Sequence, residues 1–299
     1  MYDIVIIGAG PAGLTAAIYG SRANKKVLVF ESNAVGGQIV NTMDIENYPS
    51  MPHVNGYDFS NNLYKQATEL GAEVKFEKVL SIEDGETKKV TTSNSTYEAK
   101  TIIIAAGLEN RTLNIPNEQE LFGKGLSVCA VCDGGFFRGK DVAVVGGGNT
   151  ALEDVLYLSN IVNKVYLIHR RNEFRADAKT VEQVKSKNNV EFILDSTISS
   201  INGENIVESI EVMNKTGEVK TLPVSGLFIA IGKIPNTDYL ENLIELDEQG
   251  FIKSDESCKT NIPGIFVAGD IRNKEVRQLV TATSDGAIAA SAAIKYLDK

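Results

Sequence analysis

The same short plan occurs twice in this chain, and that repeat limits what it can fold into. Residues 2–31 read as an apolar strand, the turn Gly8-Ala9-Gly10-Pro11-Ala12-Gly13, an Ala-rich helix and a second strand ending at Glu31. Residues 140–171 repeat it: the strand Asp141-Val142-Ala143-Val144-Val145, the turn Gly146-Gly147-Gly148-Asn149-Thr150-Ala151, a helix, and the strand Lys164-Val165-Tyr166-Leu167-Ile168. Apolar strands joined through helices need cover on both faces, which is the pattern of a parallel sheet. With 299 residues the chain is long enough for each unit to grow its own core.

The intervening segments complete the two domains. Gly56 to Leu70 has helical apolar spacing, and residues 73–80 and 87–92 read as strands. A buried strand, Thr101–Ala105, stops at Ala106-Gly107, and its counterpart after the second unit is Gly226–Gly232. Polar segments with Pro116 and Pro235 come after these strands and suit chain crossings. The tail carries a strand at 264–270 and a helix near 277–297 but no third glycine turn, so it completes the first domain. The expected division is 1–112 with 248–299, and 113–247.

Charge and composition exclude several classes. Lys plus Arg number 30 against 39 Asp plus Glu, and a net charge of -9 repels nucleic acid and anionic membranes. No apolar stretch reaches the roughly 20 residues that span a bilayer. Met1 to Gly8 lacks a basic start and runs into the glycine turn, so it reads as a strand, not a signal peptide. Three cysteines do not make a secreted disulfide framework, and a cytoplasmic protein is the simplest expectation.

The two glycine turns differ in the residues at the end of the second strand. In the first unit, Gly8 permits the tight turn, Gly10 lets a diphosphate approach backbone N–H groups, and Gly13 allows close helix–strand packing. The helix start favours the negative diphosphate, and Glu31 stands where a ribose-binding acid belongs. In the second unit, that acid is replaced by His169-Arg170-Arg171, with Arg175 four residues on. Guanidinium groups bind a 2′-phosphate that a carboxylate repels, which argues for NADPH over NADH. The alternative reading is a solvated basic run, and His169 alone reads as structural.

Cys129 and Cys132 lie two residues apart before Asp133-Gly134-Gly135. Such a pair is a redox dithiol or half a zinc site. Zinc needs two further ligands, and only Cys258, His53 and His169 remain in no ligand-spaced cluster, so no metal is expected. Asp133 could shuttle a proton to a leaving thiolate, or could simply be a turn or cap aspartate. Cys258 has no sequence partner and reads as a bystander.

Taken in order, GAGPAG at 8–13, GGQ at 36–38, ENYP at 46–49, CAVCDG at 129–134, GGGNTA at 146–151, HRRNEFRA at 169–176 and AGDIRNKEVRQ at 268–278 resemble the low-molecular-weight thioredoxin reductases over essentially the whole chain. The resemblance implies an α/β fold with two Rossmann-like dinucleotide-binding domains of the three-layer ββα type. An FAD domain is split around an inserted NADPH domain that carries the cysteines. It implies that Cys132 faces the flavin, Cys129 attacks thioredoxin and Asp133 is the acid/base. It places FAD on Gly8, Gly10, Pro11, Ala12, Gly13, Glu31, Gly37, Gln38, Asn47, Gly107, Gly269, Asp270, Arg277 and Gln278. It places NADPH on Gly146, Gly148, Asn149, Thr150, Ala151, His169, Arg170, Arg171 and Arg175. The expected activity is NADPH-dependent reduction of a thioredoxin-like disulfide by a homodimer. Alternatives are a ferredoxin-fed relative, against which the arginines count, a flavin reductase without a dithiol, and a redox sensor without turnover.

Overall fold

The computed structural model describes residues 1–42, 44–51, 53–240 and 243–299. By internal contacts the chain divides into Met1–Glu109 with Ile234–Lys299, and Asn110–Lys233. The crossings lie at Glu109/Asn110 and Lys233/Ile234, where two short strands pair as a ribbon. Both are earlier than the expected 112/113 and 247/248. The second difference has a packing cause: Leu240 and Ile244 are buried with Val5, Leu28 and Ile252 in a core of the first unit.

In the first unit five parallel strands lie side by side in the order Glu73–Phe76, Val27–Glu31, Tyr2–Ile7, Thr96–Ile104 and Ile265–Val267. The tail strand pairs Ile265, Phe266 and Val267 with Ile102, Ile103 and Ile104, so residues far apart in sequence share one sheet. Helices Pro11–Arg22, Gly56–Glu69 and Leu279–Leu297 cover one face. Close approach is possible because Ala16, Ala17, Ala289, Ala290 and Ala293 are fully buried there. The other face packs beneath the antiparallel strands Val79–Glu83 and Lys88–Thr92. Strand Thr96–Ile104 serves both layers, pairing Thr96 to Ala99 with the antiparallel strand and Ile102 to Ile104 with the tail.

The second unit repeats the order: Val190–Ile193, Lys164–Ile168, Asp141–Gly146, Gly226–Ala230 and Leu126–Ser127, all parallel. Helices Asn149–Ser159 and Ala178–Lys185 lie on one face, over Val142, Val144, Leu167 and Phe228. The strands Ser196–Asn202, Ser209–Asn214 and Val219–Pro223 form an antiparallel sheet whose Ile198, Ile210 and Leu222 pack with Ala143 and Ile168. Each unit is therefore a stack of helices, parallel sheet and antiparallel sheet.

Candidate functional site

In the first unit the strand Tyr2–Ile7 delivers the chain into the glycine turn. Gly8 has φ +106°, and a Cβ there would fall 2.4 Å from the Ala105 carbonyl oxygen. A Cβ on Gly13 would fall 1.9 Å from the Gly8 carbonyl oxygen, so only glycine permits this turn to close against its helix. Gly10 differs: a Cβ there would meet nothing within 4 Å. It caps a helix that opens with Pro11 and has no side-chain cap, leaving the first N–H groups of the helix facing that open space.

Segments distant in sequence converge on this turn. Gly37 lies with its Cβ position 3.5 Å from the Gly10 Cα, and Gly36 N–H donates to the Ala9 carbonyl at 2.8 Å. Gly269, at φ +81°, faces Ala12: a Cβ on Gly269 would fall 2.9 Å from the Ala12 Cβ. Arg277 Nε donates to the Asp270 carbonyl at 3.2 Å while its guanidinium lies 4.0 Å from the Phe251 ring centre. Asn47 Nδ2 donates to Gln278 Oε1 at 3.1 Å, and Gln38 Nε2 to the Leu108 carbonyl at 3.3 Å. Gly107, at φ +66°, also opens on free space.

The Glu31 carboxylate accepts the backbone N–H groups of Ala9 at 2.9 Å and Asn33 at 2.9 Å. That leaves lone pairs for a diol. Glu31 and Gly8 line a cavity of ≈ 350 Å³ together with Phe30, Lys78, Asn236 and Tyr239. The Tyr239 hydroxyl is buried without a hydrogen-bond partner among the described residues. Lys78, Asn236 and Tyr239 were not expected here, since nothing in their local sequence marks a nucleotide pocket.

Beneath Gly269 lies a buried charge cluster. One oxygen of Asp285, Oδ2, accepts from Gly269 N–H at 3.0 Å, Arg272 Nε at 2.9 Å and Lys274 Nζ at 2.9 Å. Three donors on one carboxylate oxygen hold the Gly269-Asp270 turn from behind. Cys258 is buried in the same place, its thiol 3.7 Å from the Asp285 carbonyl, and burial pushes that thiol up to about 12. Burial and a raised pKa both disfavour the reactive thiolate there.

In the second unit a Cβ on Gly146 would fall 2.3 Å from the Ala230 carbonyl oxygen and 2.7 Å from the buried Ala151. Gly148 corresponds to Gly10 and opens on free space. Asn149 clasps the basic loop, donating to Asp177 Oδ2 at 2.9 Å and accepting Asp177 N–H at 2.8 Å. Arg175 N–H donates to the Gly147 carbonyl at 2.7 Å. These bonds bring the glycine turn and the arginine segment together. Arg170, Arg171 and Arg175 stand near the open turn with the exposed Thr150, and none of the three enters an ion pair among the described residues.

His169 is a packing element. It is buried, its Nε2 lies 3.1 Å from the Glu173 carbonyl, and its ring stacks on Phe174 at 5.4 Å. Burial first, then the three neighbouring guanidinium groups, hold its pKa below the usual imidazole value. It packs in the loop that carries the arginines, beside the second glycine turn.

Cys129 and Cys132 are joined by a disulfide, with Cα atoms 5.4 Å apart. Cys129 lies just beyond the edge strand Leu126–Ser127, and Cys132 lies in the short turn Ala130–Asp133. Cys132 N–H donates to Cys129 Sγ at 3.2 Å. The turn packs on helix Asn149–Ser159 through Gly134, whose Cβ would fall 2.9 Å from Leu158. Asp133 does not cap a helix with its side chain; its Oδ2 accepts the Ser127 hydroxyl at 2.6 Å. Phe136 is exposed at 74%. Phe136 was not singled out in sequence, although an apolar doublet beginning four positions after Cys132 was its available signal.

Among the described residues one group of metal-capable side chains stands together, Asp44, Glu46 and His53. All three are exposed, and His53 Nδ1 is paired with Asp44 at 2.9 Å. Among the described residues no helix is long and apolar enough to cross a membrane.

Two units of one plan, one bearing a disulfide on a short turn, define an oxidoreductase with a redox-active cysteine pair. The family model for pyridine nucleotide-disulphide oxidoreductases matches residues 2–286. A thioredoxin reductase of Listeria monocytogenes is 43% identical over 302 residues, covering 100% of this chain and 95% of its own. The solved thioredoxin reductase of Lactococcus lactis, in its FR conformation, is 42% identical at TM-score 0.87, with 100% and 99% of the two chains covered. A ferredoxin-flavin thioredoxin reductase from Clostridium acetobutylicum is 29% identical at TM-score 0.55, with 100% and 99% covered. The chain belongs to the pyridine nucleotide-disulphide oxidoreductases and, among them, to the thioredoxin reductases.

Proposed function

We propose that this enzyme takes electrons from NADPH through FAD into the Cys129–Cys132 disulfide, and passes them to oxidised thioredoxin or a thioredoxin-like protein. The observation that carries the reading is the sharing of one unit by a disulfide and a glycine turn flanked by three arginines outside any ion pair among the described residues. We assign NADPH to that unit, at Gly146, Gly148, Asn149, Thr150 and Ala151, with Arg170, Arg171 and Arg175 on the 2′-phosphate. FAD is assigned to the first unit, with the diphosphate over Gly10, the ribose on Glu31 and the remainder along Gly37, Gln38, Asn47, Gly107, Gly269, Asp270, Arg277 and Gln278. The open cradle at Gly10, the free lone pairs of Glu31 and the buried Tyr239 hydroxyl fit such a group. Bound there, the two cofactors supply the electron pair that opens the disulfide.

The chain's own residues then perform the exchange. The Cys129 thiolate attacks one sulfur of the acceptor disulfide; a Cys129–acceptor bond forms, and the second acceptor sulfur leaves and takes a proton. Cys132 attacks the Cys129 sulfur, restoring the internal disulfide and releasing the other acceptor sulfur as a thiolate. Cys129 is half-buried but receives the Cys132 N–H. The hydrogen bond supports Cys129 as attacker, because the thiolate is the nucleophile and an N–H stabilises it. Asp133 is the proton carrier, and Phe136 offers an apolar contact beside the dithiol to the docking protein.

The family resemblance supports a cytoplasmic homodimer. Arg170, Arg171 and Arg175 favour NADPH over the ferredoxin supply named for the Clostridium relative. Steady-state oxidation of NADPH with and without oxidised thioredoxin tests the proposal. Thioredoxin-dependent turnover is expected, and its absence would overturn the reading.

A further inference from the structure

We propose that Ser127 is the positioning residue of the redox turn, holding Cys129 and Asp133 in fixed register through a single hydroxyl. The inference rests on the disulfide-exchange reading and deepens it. Ser127 is 5% exposed at the end of the edge strand Leu126–Ser127, whose partner is Phe228 in the parallel sheet. Its Oγ accepts Cys129 N–H at 3.0 Å. The same oxygen has one hydrogen to give and two acceptors in reach, Asp133 Oδ2 at 2.6 Å and the Cys129 carbonyl at 3.4 Å. The shorter bond to a charged acceptor takes the hydrogen.

One side chain anchored in the sheet thus ties both ends of a five-residue turn, Cys129 to Asp133. The tie acts on the sulfur and on the carboxylate. The backbone of Cys129 is held where Cys132 N–H reaches its sulfur at 3.2 Å in the disulfide, a donor placed to stabilise a Cys129 thiolate once the disulfide opens. With Asp133 Oδ2 committed to Ser127, Oδ1 is the oxygen left to exchange a proton with the dithiol. In that exchange the carboxylate Oδ1 takes the proton of the Cys132 thiol as that S–H bond breaks, and gives it to the departing acceptor thiolate as a new S–H bond forms. Ser127 touches neither sulfur and acts through its two neighbours.

The test uses holoenzyme with Ser127→Ala, Ser127→Thr, Asp133→Asn, and Ser127→Ala combined with Asp133→Asn. With NADPH and thioredoxin, Ser127→Ala should lower kcat by at least about tenfold with KM within about twofold, and Ser127→Thr should recover most of it. In the Asp133→Asn background the alanine change should add less than about twofold. A loss confined to KM, full additivity with Asp133→Asn, or no recovery by threonine would overturn the proposal. A second readout does not depend on the acceptor: the protein is reduced with dithiothreitol and Cys129 alkylation by iodoacetamide is monitored by mass spectrometry. Ser127→Ala should slow this reaction about fivefold or more and Ser127→Thr should not. Equal rates for wild type and both variants would refute the positioning role even if wild-type turnover were absent and the thioredoxin reading had failed.

Discussion

The imidazole of His169 occupies the place a Gly147 side chain would take: a Cβ on Gly147 would fall 2.1 Å from His169 Cε1. His169 directly precedes the arginine segment, so this close approach ties that segment to the second glycine turn. Gly147→Ala must push the ring off its Phe174 stack, and overpacking of this kind costs about 1–3 kcal/mol. We expect a lower Tm and a KM for NADPH raised at least about tenfold, with the flavin spectrum unchanged. Steady-state kinetics and a melting curve check both.

We assign the cofactor preference to Arg170, Arg171 and Arg175, which have no ion-pair partner to release among the described residues. A charge-assisted hydrogen bond is worth about 1.5–3 kcal/mol, or roughly ten- to a hundredfold in affinity. Replacing Arg170 and Arg171 by Gln should weaken NADPH by at least that factor and leave NADH nearly unaffected. Parallel KM measurements with the two nucleotides decide the matter, and equal losses for both would remove the 2′-phosphate assignment.

Asp154 gives a pH signature. It is half-buried on helix Asn149–Ser159, and burial, helped by Glu153, pushes its carboxyl up to about 7. The folded chain therefore holds a proton there that the unfolded chain has released above its ordinary value of 3.8. Its contribution to stability is fully present below about pH 4 and is lost as the pH rises through about 7. After allowance for partial exposure the loss is on the order of 2 kcal/mol. Urea midpoints at pH 4 and 8 should show wild type falling relative to Asp154→Asn by this amount.

Cys258 should be silent to reagents. Reduced native protein should titrate two thiols with an aromatic disulfide reagent at pH 8, and a third only after denaturation. The thiol near 12 and its full burial both require this.

Much of the architecture can be read from the chain because its signals are local. The strand–turn–helix–strand repeats from Tyr2 to Glu31 and from Asp141 to Ile168 carry their periodicity and glycine turns within about 30 residues. The long tail helix is equally plain from its alanines. Strands Ser209–Asn214 and Val219–Pro223 are not legible in this way, since their half-buried alternation is weak and their stability comes from pairing and from the sheet beneath. The pocket residues Asn236 and Tyr239 are unreadable for a related reason. They meet Glu31 only because Leu240 and Ile244 return the chain to the first core. Ser127 looks like an ordinary strand end, and its meaning lies in a 2.6 Å contact with Asp133.

We propose that Cys129 and Cys132 carry electrons from the nicotinamide to a protein disulfide. The direct measurement is anaerobic: holoenzyme is mixed with one equivalent of NADPH, alkylated with iodoacetamide, and the modified cysteines are located by mass spectrometry. Label is expected on Cys129 and Cys132 after NADPH, and none on them when oxidised thioredoxin is added before the alkylating reagent. Label appearing instead on the thioredoxin cysteines completes the transfer. An unlabelled pair after NADPH, or a labelled pair that thioredoxin cannot reoxidise, would contradict it.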